Sequence, residues 1–272
     1  MLKHASVWMI TVVMLTGLAG QAAGALSAEE AAKLGNSLTP LGGIKAGNAE
    51  GTIPAWEGGI TEPPAGYEKG MHHPDPYAGD QVLFTVTADN MAQYADKLTA
   101  GHQAMLETYP DFRMQVYPSH RSVAAPQRIY DDTRDAALKA ELAAGGFGVL
   151  NVTSGIPFPL PKSGIEAIWN HILRWRGPGV DRYFGVAPME RDGDYTMVEF
   201  NEKALFLYNQ EGMTPERMDN TVALFRQEIF APARLAGRIL LVHETLDQSK
   251  ENRRAWLYNP GQRRVRRAPN VA

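Results

Sequence analysis

The chain contains no cysteine. That excludes a disulfide framework, thiolate catalysis and thiolate metal sites, so packing and backbone hydrogen bonding must hold the fold. Positive charge is not in excess either: 27 basic side chains stand against 30 acidic ones, a formal net charge of −3. This balance does not suggest a nucleic-acid binder. Several catalytic signatures are missing. There is no Gly-x-Ser-x-Gly elbow, no phosphate-binding loop and no dinucleotide fingerprint with its acidic partner. Among the histidines, His72 and His73 beside Asp75, and His243 beside Glu244, are the close His–carboxylate groupings. Neither has the spacing of a zinc enzyme. In Arg191-Asp192-Gly193-Asp194 the twelfth-position glutamate of a calcium loop is lacking, and a hairpin turn is the better use. No cofactor and no metal are expected.

What is present begins with the leader. Lys3 and His4 precede an apolar run from Ala5 to Leu18, and Ala23-Gly24-Ala25 offers small residues where a signal peptidase reads. A run of about 14 residues is short of the roughly 20 needed to cross a bilayer, so cleavage after Ala25 and export to the periplasm are expected. With 44% apolar residues the remainder can build a real core. Its charge is uneven, because Lys250 to Arg267 carries seven basic residues and one acid, Glu251. A basic end on an acidic body fits an anionic partner or, equally, a solvated hairpin.

Ser27-Ala28-Glu29-Glu30 reads as a capping box for a short helix running to Gly35. From Asn36 to Asp80 prolines and glycines break every period, giving a long irregular arm that wraps over the body or contacts something. In that arm Trp56 either pins the arm down or faces a partner. The spacing of Met91, Tyr94, Ala95, Leu98 and Met105 predicts a helix capped by Thr87. Alternation over Phe112 to Tyr117 predicts a strand, and a second helix is expected from about Asp132 to Gly145-Gly146. Beyond Pro161, strands are predicted over Tyr195–Tyr208, Arg238–Leu246, Arg254–Tyr258 and Arg263–Arg267, the last two joined at Asn259-Pro260-Gly261-Gln262. Strands this close pair antiparallel. The fold class is therefore α+β, a large antiparallel sheet with helices on one face. The chain divides into a signal peptide (1–25), a helix and arm (26–80) and an α+β domain (81–272).

Three stretches carry the most information. The first is Leu38-Thr39-Pro40-Leu41-Gly42-Gly43 with Thr52 to Gly59. The second runs from Gly155-Ile156-Pro157-Phe158-Pro159-Leu160-Pro161 into Ile165 to Gly177. There the prolines force an extended segment and Ser163 can cap a helix on which Ile165, Ile168, Trp169 and Ile172 share a face. Such a helix either covers an apolar cavity, lined by Phe158, Ile165, Ile168, Trp169 and Ile172, or packs as ordinary core. The third is Pro232 to Gly237, Leu240 to Glu244 and Ala255 to Arg267. On a regular strand Arg263 and Arg267 would point one way, Arg264 and Arg266 the other, so one pair could meet an anion or a partner.

Together these stretches resemble the bacterial family known as domain of unknown function 1329. The resemblance runs from about Leu38 to the end of the chain. It implies kinship with outer-membrane lipoprotein-sorting proteins and a LolA/LolB-like fold, a curved antiparallel half-barrel with helices plugging its concave side. It also implies a lipid or acyl-chain ligand, with a transporter of the resistance-nodulation-division class and an outer-membrane protein as partners. The family is longer than this chain, so an incomplete half-barrel with an unpaired edge is expected. The expected function is a non-enzymatic periplasmic protein that binds or sorts a hydrophobic ligand, a lipid or lipoprotein acyl chain. The alternatives are an envelope hydrolase using a His–carboxylate pair such as His243 and Glu244, or a transporter assembly factor. Adjacent residues on a strand point to opposite faces, which counts against that pair.

Overall fold

A computed structural model describes residues 25–268. The expected signal peptide therefore lies outside the described residues, apart from Ala25. Among the described residues no helix is long and apolar enough to cross a membrane.

The chain forms an α+β fold around a six-stranded antiparallel meander. Its strands are β5 (Gly179–Val186), β6 (Val198–Phe206), β7 (Thr221–Ala231), β8 (Ile239–Thr245), β9 (Arg254–Asn259) and β10 (Arg264–Arg267), neighbours in that order. Two small two-stranded sheets precede it: β1 (Phe84–Val86) pairs with β2 (Met114–Val116), and β3 (Glu141–Leu142) with β4 (Val149–Leu150). The helices are α1 (Ala28–Ala31), α2 (Ala100–Thr108), α3 (Gln127–Ala137), α4 (Gly164–Leu173) and α5 (Pro215–Met218).

At α1 the Ser27–Glu30 capping box is present in both directions, with bonds of 2.8 and 3.1 Å. In α3, Ile129, Thr133, Ala136 and Ala137 are buried, the stripe expected when one helical face meets the body. Alternation divides the sheet residues between two faces. One carries Val180, Ala204, Phe206, Ala223 and Phe225, which pack with Trp169 and Leu173 of α4 and with Phe158 in the main core. The other carries Leu205, Leu241, Trp256 and Val265.

The arm from Asn36 to Asp80 is irregular, as expected, and it is pinned. Trp56 donates through Nε1 to the Val123 carbonyl at 2.9 Å, and Arg121 donates to the carbonyls of Ile44 and Lys45 at 2.7 and 3.1 Å. Gly42, at φ +93°, crosses the proline segment so closely that a Cβ would stand 1.9 Å from the Pro159 carbonyl oxygen. Two of the three distinctive stretches thus meet at a point where a side chain has no room.

Several boundaries differ from expectation. The helix predicted after Thr87 is two pieces, a 3-10 turn over Met91–Lys97 and then α2. Leu98 is extended, and the Thr99 hydroxyl caps a fresh start by accepting from the His102 amide at 3.2 Å. The next helix begins at Gln127, directly after Pro126, and Gly145-Gly146 instead turns the chain between β3 and β4. β5 and β7 were not expected. Arg226, Gln227 and Glu228 interrupt the apolar alternation of β7, but Arg226 pairs with Glu228 at 2.7 Å and Gln227 donates to Glu202 of β6. Arg263 sits in the hairpin turn at φ +50°, so strand alternation does not reach it. The Arg191–Asp194 segment is the hairpin turn between β5 and β6, closed by the Glu190 amide on the Asp194 carbonyl at 2.8 Å.

Candidate functional site

The sequence from Ser163 builds the lid of a cavity. Ser163 accepts from the Glu166 amide, capping α4, and the Glu166 carboxylate accepts in return from the Lys162 amide. On the inward face of α4, Glu166, Trp169 and Leu173 are buried. Trp169 is fixed further by its Nε1, which donates to the Gly146 carbonyl at 2.9 Å.

Between this helix and the sheet lies a cavity of about 230 Å³. Trp169, Leu173, Phe206, Val222 and Phe225 give it apolar walls. A register shift between Thr221 and Ala223 allows consecutive residues to face it, Val222 with Ala223 on β7 and Glu244 with Thr245 on β8. A regular pleat would have sent one of each couple to the opposite face.

The cavity's polar side includes three arginines. Arg174, Arg176 and Arg253 line it. Arg253 is held in a two-pronged pair with Glu244, at 2.7 and 2.9 Å. Arg176 stands over the Phe206 ring, 4.3 Å from its centroid. Burial, together with the charges of Arg174 and Arg182, lowers the Arg176 pKa from its usual value, although a guanidinium stays charged at neutral pH. In the wall, Tyr208 donates to the Ser154 and Gly155 carbonyls at 3.2 Å each, and burial raises its phenol pKa, keeping it a donor. Asn209 Oδ1 and Thr245 Oγ1 are buried without a hydrogen-bond partner.

Of the residues expected to line a cavity, Trp169 and Ile172 do so. Phe158 is 2% exposed within the core, its backbone held at both ends by the Asn170 amide side chain at 2.9 and 2.6 Å. Ile165 and Ile168 are 43% and 55% exposed on the outer side of α4. The expected stripe is therefore split, with Trp169 and Ile172 reaching the cavity and Ile165 and Ile168 facing outward. Arg264, Arg266 and Arg267 are all exposed on the edge strand β10, and Arg263 is exposed in the turn before it. Arg264 and Arg266 fall on the same sheet face as the cavity, Arg267 on the other.

The His243–Glu244 neighbours diverge: Glu244 meets Arg253, and His243 packs edge-on against Trp256 with centroids 4.9 Å apart. A shallow apolar hollow on that outer face is lined by Leu241, His243, Trp256 and Val265. A His–carboxylate pair that sequence spacing does not reveal joins His120 Nε2 to Asp80 Oδ2 at 2.6 Å, with Tyr77 stacked on the imidazole. These partners are 40 residues apart, so no local pattern signals them. The cavity arginines were equally hidden, because their meaning depends on the fold bringing Phe206 and Glu244 to the residues just after α4.

Comparison with known proteins places the chain in a family. Residues 85–272 match the family model described as a protein of unknown function, DUF1329. An uncharacterized protein of Pseudomonas aeruginosa strain PAO1 is 48% identical over 262 residues, which cover 96% of this chain and 58% of that relative. The chain thus spans somewhat more than half the length of the relative it matches. No solved structure matches it.

Proposed function

The chain belongs to the DUF1329 family, and we propose that it is a non-catalytic carrier of the bacterial envelope that shields a lipid or acyl chain beneath α4. The observation that carries this reading is the apolar cavity between α4 and the sheet. Its apolar floor is well buried, with Trp169, Leu173 and Phe206 at 5%, 3% and 6% exposure, while Ile172 at its mouth is 41% exposed; the outer hollow is more open, with Val265 at 63%. A buried apolar cavity lined by a few placed polar groups is the usual form of a small-molecule site.

On this reading the antiparallel meander is part of a LolA/LolB-like half-barrel, with α4 as its plug. The protein works in the periplasm after loss of its first 25 residues. It receives or delivers its ligand with a transporter of the resistance-nodulation-division class and an outer-membrane partner.

A fluorescent fatty-acid probe tests the carrier. Ala223 is buried in the cavity wall, so Ala223→Phe should fill the space and reduce uptake at least roughly tenfold, the equivalent of about 1.4 kcal/mol. A folded variant that takes up the probe as well as wild type would overturn the reading.

A further inference from the structure

We propose that the cavity takes a single-chain amphiphile with an anionic headgroup, its chain against Trp169 and Phe206 and its headgroup held by Arg176 and Arg174. This deepens the carrier reading above and rests on it.

Size limits the apolar part. A volume of about 230 Å³ holds on the order of eight methylene-sized groups, taking roughly 30 Å³ for a water-sized unit. It is also below the roughly 300 Å³ at which pockets for larger ligands begin. One chain of about that length fits the enclosed part of the cavity.

Charge decides the headgroup. Arg253 is neutralised by Glu244, and nearby Arg182 by Glu202, to which it donates through Nε at 2.9 Å. Among the described residues neither Arg174 nor Arg176 lies within 4.0 Å of a carboxylate. Two solvent-exposed cations without a direct carboxylate partner are therefore left at the cavity mouth, where the Glu202 charge offsets part of the repulsion that Arg174 and Arg182 exert on Arg176. A stack on an aromatic ring returns only about 0.5 to 2 kcal/mol, which explains where Arg176 rests but not why like charges gather around it. An entering anion removes that repulsion.

Orientation favours the same ligand. With its Cζ placed over the Phe206 ring, the Arg176 guanidinium keeps N–H donors for a second partner. Arg174 spends one donor on the His171 carbonyl and keeps the rest. The aromatic ring that would meet the first carbons of the chain is thus the one that positions the cation for the headgroup.

The test compares the affinity of the full chain for decanoate, decyl phosphate and decanol by titration calorimetry at low salt. Both anions should bind at least roughly tenfold more tightly than decanol, since hydrogen bonds to charged groups contribute about 1.5 to 3 kcal/mol. A preference for decanoate or for decyl phosphate identifies the headgroup as carboxylate or phosphate, and either supports the proposal. The anion-to-decanol affinity ratio should collapse in Arg176→Gln and Arg174→Gln and persist in Arg176→Lys. Reading a ratio guards against partial misfolding, which weakens all three ligands alike. Decanol bound as tightly as the anions would overturn the headgroup proposal and leave the carrier standing. Binding of none of the three would overturn the carrier itself.

Discussion

The Trp169 indole Nε1 donates to the Gly146 carbonyl at 2.9 Å, tying the lid helix α4 to the turn between β3 and β4. The same ring lines the cavity, so Trp169 joins stability to binding. Trp169→Ala should cost about 3 to 5 kcal/mol by emptying a packed site. Trp169→Phe keeps most of the apolar contact and should cost about 1 to 2 kcal/mol for the lost hydrogen bond. Urea unfolding of the two variants separates these losses.

The two faces of strands β5 and β6 should respond differently to charge removal. Glu202 is buried, with its side chain 5% exposed, and accepts from both Arg182 and Gln227. Lys203 and Asp181, one register position away, form a pair with side chains 59% and 55% exposed. Arg182→Ala should cost about 1 to 3 kcal/mol, less than the roughly 3 to 5 expected of a fully buried pair because Arg182 is itself 56% exposed. Lys203→Ala should change stability by about 0 to 1 kcal/mol. Denaturant midpoints for the two variants check the ordering.

Much of this architecture was legible from residue pattern. The Ser27–Glu30 box, the Ser163 cap and the hairpin at Asn259–Gln262 all rest on interactions within a few residues, and all are present. β7 was not legible, because its Arg226-Gln227-Glu228 centre looks like a loop until Glu202 of the neighbouring strand β6 supplies a partner. The exposed Ile165 and Ile168 show the matching limit for the site. Periodicity identified an apolar stripe on α4, but the buried face was chosen by Trp169 finding the Gly146 carbonyl and by the Glu166 carboxylate finding the Lys162 amide. Cavity arginines require knowledge of which charges are already paired, and that is a property of the fold.

Acid should loosen the loop after β8. Burial alone would raise the Asp247 pKa, but bonds from the Ser249 hydroxyl and amide and the Lys250 charge outweigh it and hold the carboxyl below its ordinary value. A depressed carboxyl contributes stability that is present above the unfolded-state pKa and is lost as pH falls through the folded one. Stability should therefore drop as pH descends from about 4, the ordinary aspartate range, and Asp247→Asn should flatten that part of the curve. Urea midpoints from neutral pH to roughly pH 3 would show it; an equally steep loss in the variant would assign the acid sensitivity to other groups.

The edge arginines offer a separate anion contact. Arg264 and Arg266 share one face of β10, and both are exposed. Replacing both with glutamine should reduce co-sedimentation with anionic vesicles, with a difference that shrinks as salt is raised toward physiological strength, where the screening length is about 8 Å. Folding stability should move by no more than about 1 kcal/mol. Vesicle binding that is unchanged at low salt would leave the pair as a solvated sheet edge.

The carrier account is tested most directly by the indole N–H signals of the isotope-labelled protein during titration with decanoate. Trp169 lines the cavity, Trp256 lines the outer hollow and Trp56 anchors the arm, so each reports a different surface. The account predicts a saturable shift of the Trp169 signal while those of Trp256 and Trp56 stay in place. A shift confined to Trp256, or no shift of Trp169 at saturating decanoate, would contradict it.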